Sequence, residues 1–254
     1  AASDVYKRQV TRLLGAIQNH GYPDFIVTGL SIFPRSEVLR VGIENYLERN
    51  SNISSRYTKY NEDRLVDFED LIDPIVDEVF LGALMISIFK TKVLKNAVDL
   101  DDYFTDNKQP YTDLISTYPH AYLFGKSFTS LKALYISKPL IAALEGKKEW
   151  DEYLPLIVIM RLGQLLDHYQ ECCISKSNID DCRASLLVYF QGLFWKIAFE
   201  NKPSLRQDFR FFEQIRKYAR FKEFWISILG IRKVKRLLRR VKSLRKYIHN
   251  VFVN

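Results

Sequence analysis

Two short stretches carry side chains with chemistry to offer. In "YPHAYLFGKSF" an imidazole, His120, follows Tyr118 and Pro119. With an ordinary pKa of about 6.5 it can accept a hydroxyl proton at neutral pH, or it can give a ring nitrogen to a metal ion. A histidine here can equally pack or cap the start of a helix. Asp113, in "QPYTDLIST", is the alternate base, or a turn or cap aspartate. "VDLDDYF" spaces Asp99, Asp101 and Asp102 as a metal motif would, yet it follows "VLKN" and no long buried strand, which favours a solvated acidic loop. Tyr118 and Trp150 both present an apolar face with a polar edge, and Asp151 stands beside Trp150. Cys172, Cys173 and Cys182 contain no C-x-x-C pair. That argues against a disulfide framework or a zinc site and fits a reducing compartment.

The elements that must position these residues read as an α/β order. "VTRLLGAIQNHGYPDFIVTGLSIFPR" gives a helix tail, a turn at Gly21 and Pro23, and a strand rich in Phe25, Ile26, Val27, Leu30, Ile32 and Phe33. "EVLRVGIENYLERNSNISSRYTKYNEDRL" is polar and weakly periodic, as paired edge strands or a loop would be. "DFEDLIDPIVDEV" suggests a short acidic helix. "FLGALMISIFK" is a continuous apolar run of the kind that fills a strand buried on both faces. Helical spacing follows in "YPHAYLFGKSFTSLKA", with Pro119 in the first turn. "LYISKPLIAAL" then reads as a strand that lies near an edge or bends at Pro139. From Trp150 onward the pattern is helical, in three segments separated by "ISKS" and "NKPS".

The 254 residues are 47% hydrophobic and 27% charged, a balance that supports a sizeable core and excludes a disordered chain. Neither "VFLGALMISIF" nor "LPLIVIM" approaches the roughly 20 apolar residues of a spanning helix. The net charge of +8 is local: residues 201–254 hold 16 Lys and Arg against 3 acids, while residues 1–200 hold 22 against 27. A basic end points to a polyanion or a membrane surface docking there. "AASDVYKRQ" lacks a methionine, and its back-translation resembles the end of a transposase-type adaptor used for sequencing libraries. Ala1–Gln9 are therefore expected to be foreign, with natural sequence lost upstream of Val10.

The order of "PDFIVTGLSIF", "FLGALMISIFK", "YPHAYLFGKSF", "LYISKPLIAALEG" and the following Trp150 resembles the second half of family-two glycosyltransferases of the GT-A fold, in particular the abequosyltransferase-like branch. The resemblance covers about residues 10 to 155. It implies a partial GT-A (Rossmann-like) sheet domain over 10–150, with an all-helical extension over 151–230. The full enzyme would transfer a sugar from a nucleotide-sugar donor to an acceptor hydroxyl, in surface polysaccharide or lipid-linked glycan synthesis. In that family a donor-binding half with an Asp-x-Asp-type motif comes first. A divalent metal, Mg²⁺ or Mn²⁺, held there neutralises the departing diphosphate. The chain as given is then expected to lack the main acidic metal ligands and to be inactive. Where the wider family has an acidic pair at the start of the helix before the last strand, this sequence has Pro119-His120, as the abequosyltransferase-like branch does. The resemblance thus casts His120 as base or metal contact and Asp113 as alternate base. It casts Tyr118, Trp150 and Asp151 as acceptor contacts.

In "IRKVKRLLRRVKSLRKYIHNVF" the residues Ile231, Val234, Leu237, Leu238, Val241, Leu244, Ile248 and Val251 form one stripe at helical spacing. Arg232, Lys233, Lys235, Arg236, Arg239, Arg240, Lys242, Arg245 and Lys246 lie between them with no acid. Residues 231–254 are expected to form a basic amphipathic helix on an anionic membrane surface, or one packed on its own protein. Nucleic acid is not expected, because base-stacking aromatics are not interleaved with the charges. The whole reads as a cytoplasmic protein peripheral on the inner face of the cell membrane. The alternative is a non-catalytic membrane-surface adaptor that works through its helices.

Overall fold

The computed structural model describes residues 2–42, 45, 59–97, 111–144, 149–190, 192–199 and 209–229. Helix α1 (Ala2–Asn19) ends in a turn where Gly21 and Tyr22 take φ of 74° and 57°. Strand β1 (Phe25–Phe33) follows, as the sequence predicts. Residues Ala2–Gln9, expected to be foreign, form the first part of α1, and the Gln9 amide donates to the Leu140 carbonyl at 3.1 Å.

The remaining strands are β2 (Arg64–Asp67), β3 (Ser87–Phe89), which leads into helix α3 (Thr91–Ala97), and β4 (Lys132–Leu144). Their order is β2-β4-β1-β3, with β1 and β4 parallel and both outer strands antiparallel to their neighbours. The fold is therefore mixed α/β, built on an open mixed sheet. β4 pairs with β1 from Phe25↔Ala133 to Phe33↔Leu144, and the register shifts between Thr28 and Leu30. Pro139 sits at that shift. It has no N–H to give to a ladder. The next donor, the Leu140 N–H, goes instead to the Thr28 hydroxyl at 3.1 Å. β4 is an inner strand and not an edge, so of the two expectations the bend is realised; β2 covers only Lys132–Tyr135, and Pro139 lies beyond that paired stretch.

The period-two alternation of β1 feeds two apolar layers. On one face Phe25 is fully buried, with ring centroids of Phe128 at 4.7 Å, Phe124 at 4.9 Å and Phe68 at 5.3 Å. Phe124 and Phe128 come from the helix Pro119–Phe128, which has proline in its first turn as expected. On the other face Ile26, Leu134 and Ile136 pack with Ala16, Leu13 and Ile17 of α1.

Three expectations are corrected. "FLGALMISIFK" is not a strand buried on both faces: Phe80 and Leu81 turn through positive φ, Leu84–Ile86 form a 3-10 turn, and only Ser87–Phe89 join the sheet, at its edge. The acidic helix shrinks to a 3-10 turn at Phe68–Leu71 followed by turns through Leu81. In the polar stretch from Glu37, the described residues give helix α2 (Arg35–Val41) and the start of β2.

Two compact units emerge, one of residues 1–151 with 161–182, the other of 152–160 with 183 onward. The helical region expected from residue 151 thus divides. α6 (Leu162–Glu171) and the first half of α7 (Lys176–Val188) belong to the sheet-containing unit, because they bond backbone carbonyls of its helix Pro119–Phe128 and of the turns between Glu69 and Phe80. His168 Nε2 meets the Tyr122 carbonyl at 2.8 Å, Tyr169 donates to Phe80 O at 2.9 Å, Asn178 to Glu69 O at 2.7 Å, and the Cys182 thiol to Ile72 O at 3.1 Å. The second unit contains α8 (Leu193–Phe199), α9 (Phe211–Tyr218) and α10 (Lys222–Leu229) around buried Phe190, Phe194, Tyr218 and Phe224. Their rings meet edge-on, Phe190 with Tyr218 at 5.3 Å and Phe194 with Phe224 at 5.6 Å.

Candidate active site: the Asp77 turn and His120

β3 runs antiparallel to β1 with Ser87 opposite Val27, so the segment that feeds it comes from the end towards which β1 runs. That carboxyl end is where open α/β sheets bind ligands. The feeding segment is a tight, largely apolar turn built around one buried carboxylate. Asp77 is only 4% exposed, and its carboxylate accepts the Val79 N–H on Oδ1 and the Ala83 N–H on Oδ2, each at 3.2 Å, with the Leu81 N–H also directed to it. Burial pushes the Asp77 carboxyl up to about 6, against the pull of these three N–H groups.

Around this carboxylate Phe80 and Leu81 take φ of 55° and 64°. Each such non-glycine residue costs about 1 kcal/mol and needs outside support. The Asp77 bonds and the Tyr169 hydroxyl on Phe80 O supply it. Gly82 is required by crowding, since a Cβ there would stand 2.7 Å from the Tyr118 ring and 2.8 Å from Val79 O.

His120 completes the turn. Its Nε2 lies 3.0 Å from Gly82 O, and because a carbonyl only accepts, Nε2 carries the hydrogen. Burial lowers the His120 pKa, and the carbonyls of Gly82 and Leu81 offset part of that. The ring is thus neutral at pH 7, with its lone pair on Nδ1. Its neighbours are Phe124, centroid 5.6 Å away, and Tyr118 at 6.5 Å. Tyr118 is buried, and desolvation first, then the Asp77 charge, raises its pKa, so the phenol stays protonated. The same two causes act on fully buried Tyr169.

Two short helices aim the imidazole. Asp113 caps α4 (Leu114–Thr117) through a capping box: Oδ1 accepts the Ser116 N–H at 2.7 Å, while the Asp113 N–H donates to the Ser116 hydroxyl at 3.1 Å. The chain pivots at Tyr118, which is both the C-cap of α4 and the N-cap of α5 (Pro119–Phe128). Arg161, 2% exposed and at the end of a π turn (Ile157–Arg161), donates to the carbonyls of Tyr111 and Thr112 and holds the lead-in to Asp113.

Of the residues singled out from the sequence, the structure brings Tyr118 and His120 together and gives Asp113 a capping role beside them. Trp150 and Asp151 stand in a separate 3-10 turn, Glu149–Tyr153. Asp99, Asp101, Asp102 and the cations from Arg232 to Lys246 lie outside the described residues. Sequence reasoning passed over Asp77, Gly82, Arg161 and Tyr169. Arg161 did leave a signal, as the lone charge in "LPLIVIMRLGQLL". Among the described residues no three His, Cys, Asp or Glu side chains group to hold a metal ion, and the His120 Nε2 and Asp77 oxygens are turned to backbone. The described residues do not fit a divalent metal.

Comparison with known proteins returned no matching family model, no matching curated protein and no matching solved structure.

Proposed function

We propose that this chain carries the acceptor side of a glycosyltransferase of the GT-A kind, one that moves a sugar from a nucleotide-sugar donor to an acceptor hydroxyl on a lipid-linked or surface glycan. The observation that carries the reading is the neutral His120, its Nε2 spent on Gly82 O, set by the turn at the carboxyl side of β1. In this reading Nδ1 takes the acceptor hydroxyl proton as that oxygen bonds to the anomeric carbon and the bond to the donor diphosphate breaks. The α5 start fixes the imidazole, and Tyr118 supports the turn. The donor and its divalent metal would be held by residues other than those described here. Trp150 and Asp151 remain candidate acceptor contacts from the resemblance. Attachment to an anionic membrane through residues 231–254 would bring such a site to a lipid-linked substrate.

Titrating oligosaccharide acceptors into ¹⁵N-labelled protein tests this. The amides of Gly82 and of Tyr118 to Ala121 should shift with acceptor, and a nucleotide-sugar alone should leave them in place. A His120→Gln variant, which keeps an N–H for Gly82 O, should retain the fold. If no saccharide moves these amides while the protein still binds anionic vesicles, the membrane-surface adaptor takes precedence. The exposed Phe199 and Phe212 of the second unit favour that second reading.

A further inference from the structure

The second unit leaves large apolar side chains exposed beside a core of buried aromatic rings. Phe194 is fully buried, with Phe211, Phe224 and Trp195 against it. Outside that core Phe212 is 83% exposed, Phe199 72% and Leu229 50%. They lie at the ends of three different helices; Phe199 contacts Trp195 directly, and Phe212 is linked to it through Phe211. The Trp195 ring stacks on Phe199 with centroids 5.6 Å apart, and it meets Phe211, whose ring touches Phe212 at 5.4 Å. Its indole N–H donates to Ile228 O at 2.6 Å, which brings the end of α10, one residue before Leu229, to Trp195.

The same unit carries exposed cations. Arg210 and Lys222 have side chains 81% and 84% exposed, each beside a glutamate (Glu213 at 4.0 Å, Glu223 at 3.8 Å), and exposed Lys196 and Arg216 stand on α8 and α9. Over Phe209–Leu229 there are five Lys and Arg against two Glu. From Leu229 the chain passes directly into the sequence with nine cations, no acid and an apolar stripe beginning at Ile231. Exposed rings on a unit with a surplus of positive charge match the chemistry of a bilayer interface, where apolar tips enter the acyl boundary and cations meet anionic headgroups.

We propose that the face formed by Phe199, Phe212 and Leu229 is an insertion surface for an anionic lipid bilayer. It rests on the membrane-surface part of the reading above, but it assigns contact to the folded unit itself, separately from residues 231–254. The test uses the full chain in three forms: unchanged, Phe199→Ser/Phe212→Ser, and with the nine cations between Arg232 and Lys246 replaced by Gln. Each is co-sedimented with phosphatidylcholine vesicles with and without phosphatidylglycerol. Both phenylalanines are exposed, so far-UV circular dichroism and the thermal midpoint of the serine variant should stay unchanged. The serine variant should lose roughly tenfold or more in binding to anionic vesicles. Brominated acyl chains should quench tryptophan emission in the unchanged chain, and less in that variant. Unchanged binding by the serine variant, with loss only in the Gln variant, would overturn the insertion surface and leave the tail as sole anchor. No binding by any form would overturn both. Light scattering showing that the rings instead pair two copies in the absence of lipid would overturn it as well.

Discussion

The Asp77 turn and the Trp195 face break the same rule in opposite directions. The first buries polar groups, namely Asp77, Tyr118, Tyr169 and most of His120; the second exposes Phe199 and Phe212. A buried polar group or an exposed apolar cluster is informative because each costs stability that an ordinary partition would not. The two costs differ in kind. At the turn the groups are bonded into the fold, so damage there should register as lost stability. On the aromatic face the exposed rings touch the unit only at its edge, through Trp195 and Phe211, so damage should register mainly in binding.

The largest effect should come from Gly82→Val. Its Cβ would collide with the Tyr118 ring and the Val79 carbonyl, and stability should fall by about 2–3 kcal/mol or more in urea unfolding. Next comes the pH dependence set by Asp77. Its folded pKa is raised from 3.8 to about 6, so its contribution is fully present below pH 3.8 and is lost as pH rises through about 6. Between those values the chain should lose up to about 3 kcal/mol relative to Asp77→Asn, whose profile should be flatter. His120 works the other way: with a lowered pKa, its contribution is present above the ordinary imidazole range and is lost as pH falls below it. His120→Gln should remove that acid limb and change stability at pH 7 by less than about 1 kcal/mol. The smallest stability effect should belong to Phe212→Ser, within about 0.5 kcal/mol by thermal melting, despite its loss of lipid binding. A Phe212→Ser variant that melts several degrees early would erase the contrast between the regions.

The same contrast explains what could be read from the sequence. β1, β4 and α5 were legible because Phe25, Ile26 and Val27, the segment around Pro139, and Pro119 with Phe124 and Phe128 carry local signals that the tertiary fold respects. "FLGALMISIFK" misled because apolar content reports burial and not backbone direction. Phe80 and Leu81 are buried, but in a turn held by Asp77 and by Tyr169, which lies 89 residues along the chain. Asp77 itself looked like one more acid in "DFEDLIDPIVDEV", since nothing local distinguishes a desolvated carboxylate from a solvated one. His120 could be placed at a helix start from Pro119, but its partner, Gly82 O, is 38 residues away. Arg161 was the exception, a charge in an apolar run that its two carbonyl partners explain.

The proposed role of His120 depends on the protonation state of its ring and on the lone pair left on Nδ1. The ¹⁵N spectrum of histidine-labelled protein, with His20 and His168 as internal references, reads both directly. His120 should show hydrogen on Nε2 and a bare Nδ1 that persists below the ordinary imidazole range, and acceptor saccharide should shift Nδ1 of this ring alone. A His120 that titrates at or above the ordinary value, carries its hydrogen on Nδ1, or ignores every saccharide would contradict the role assigned to it.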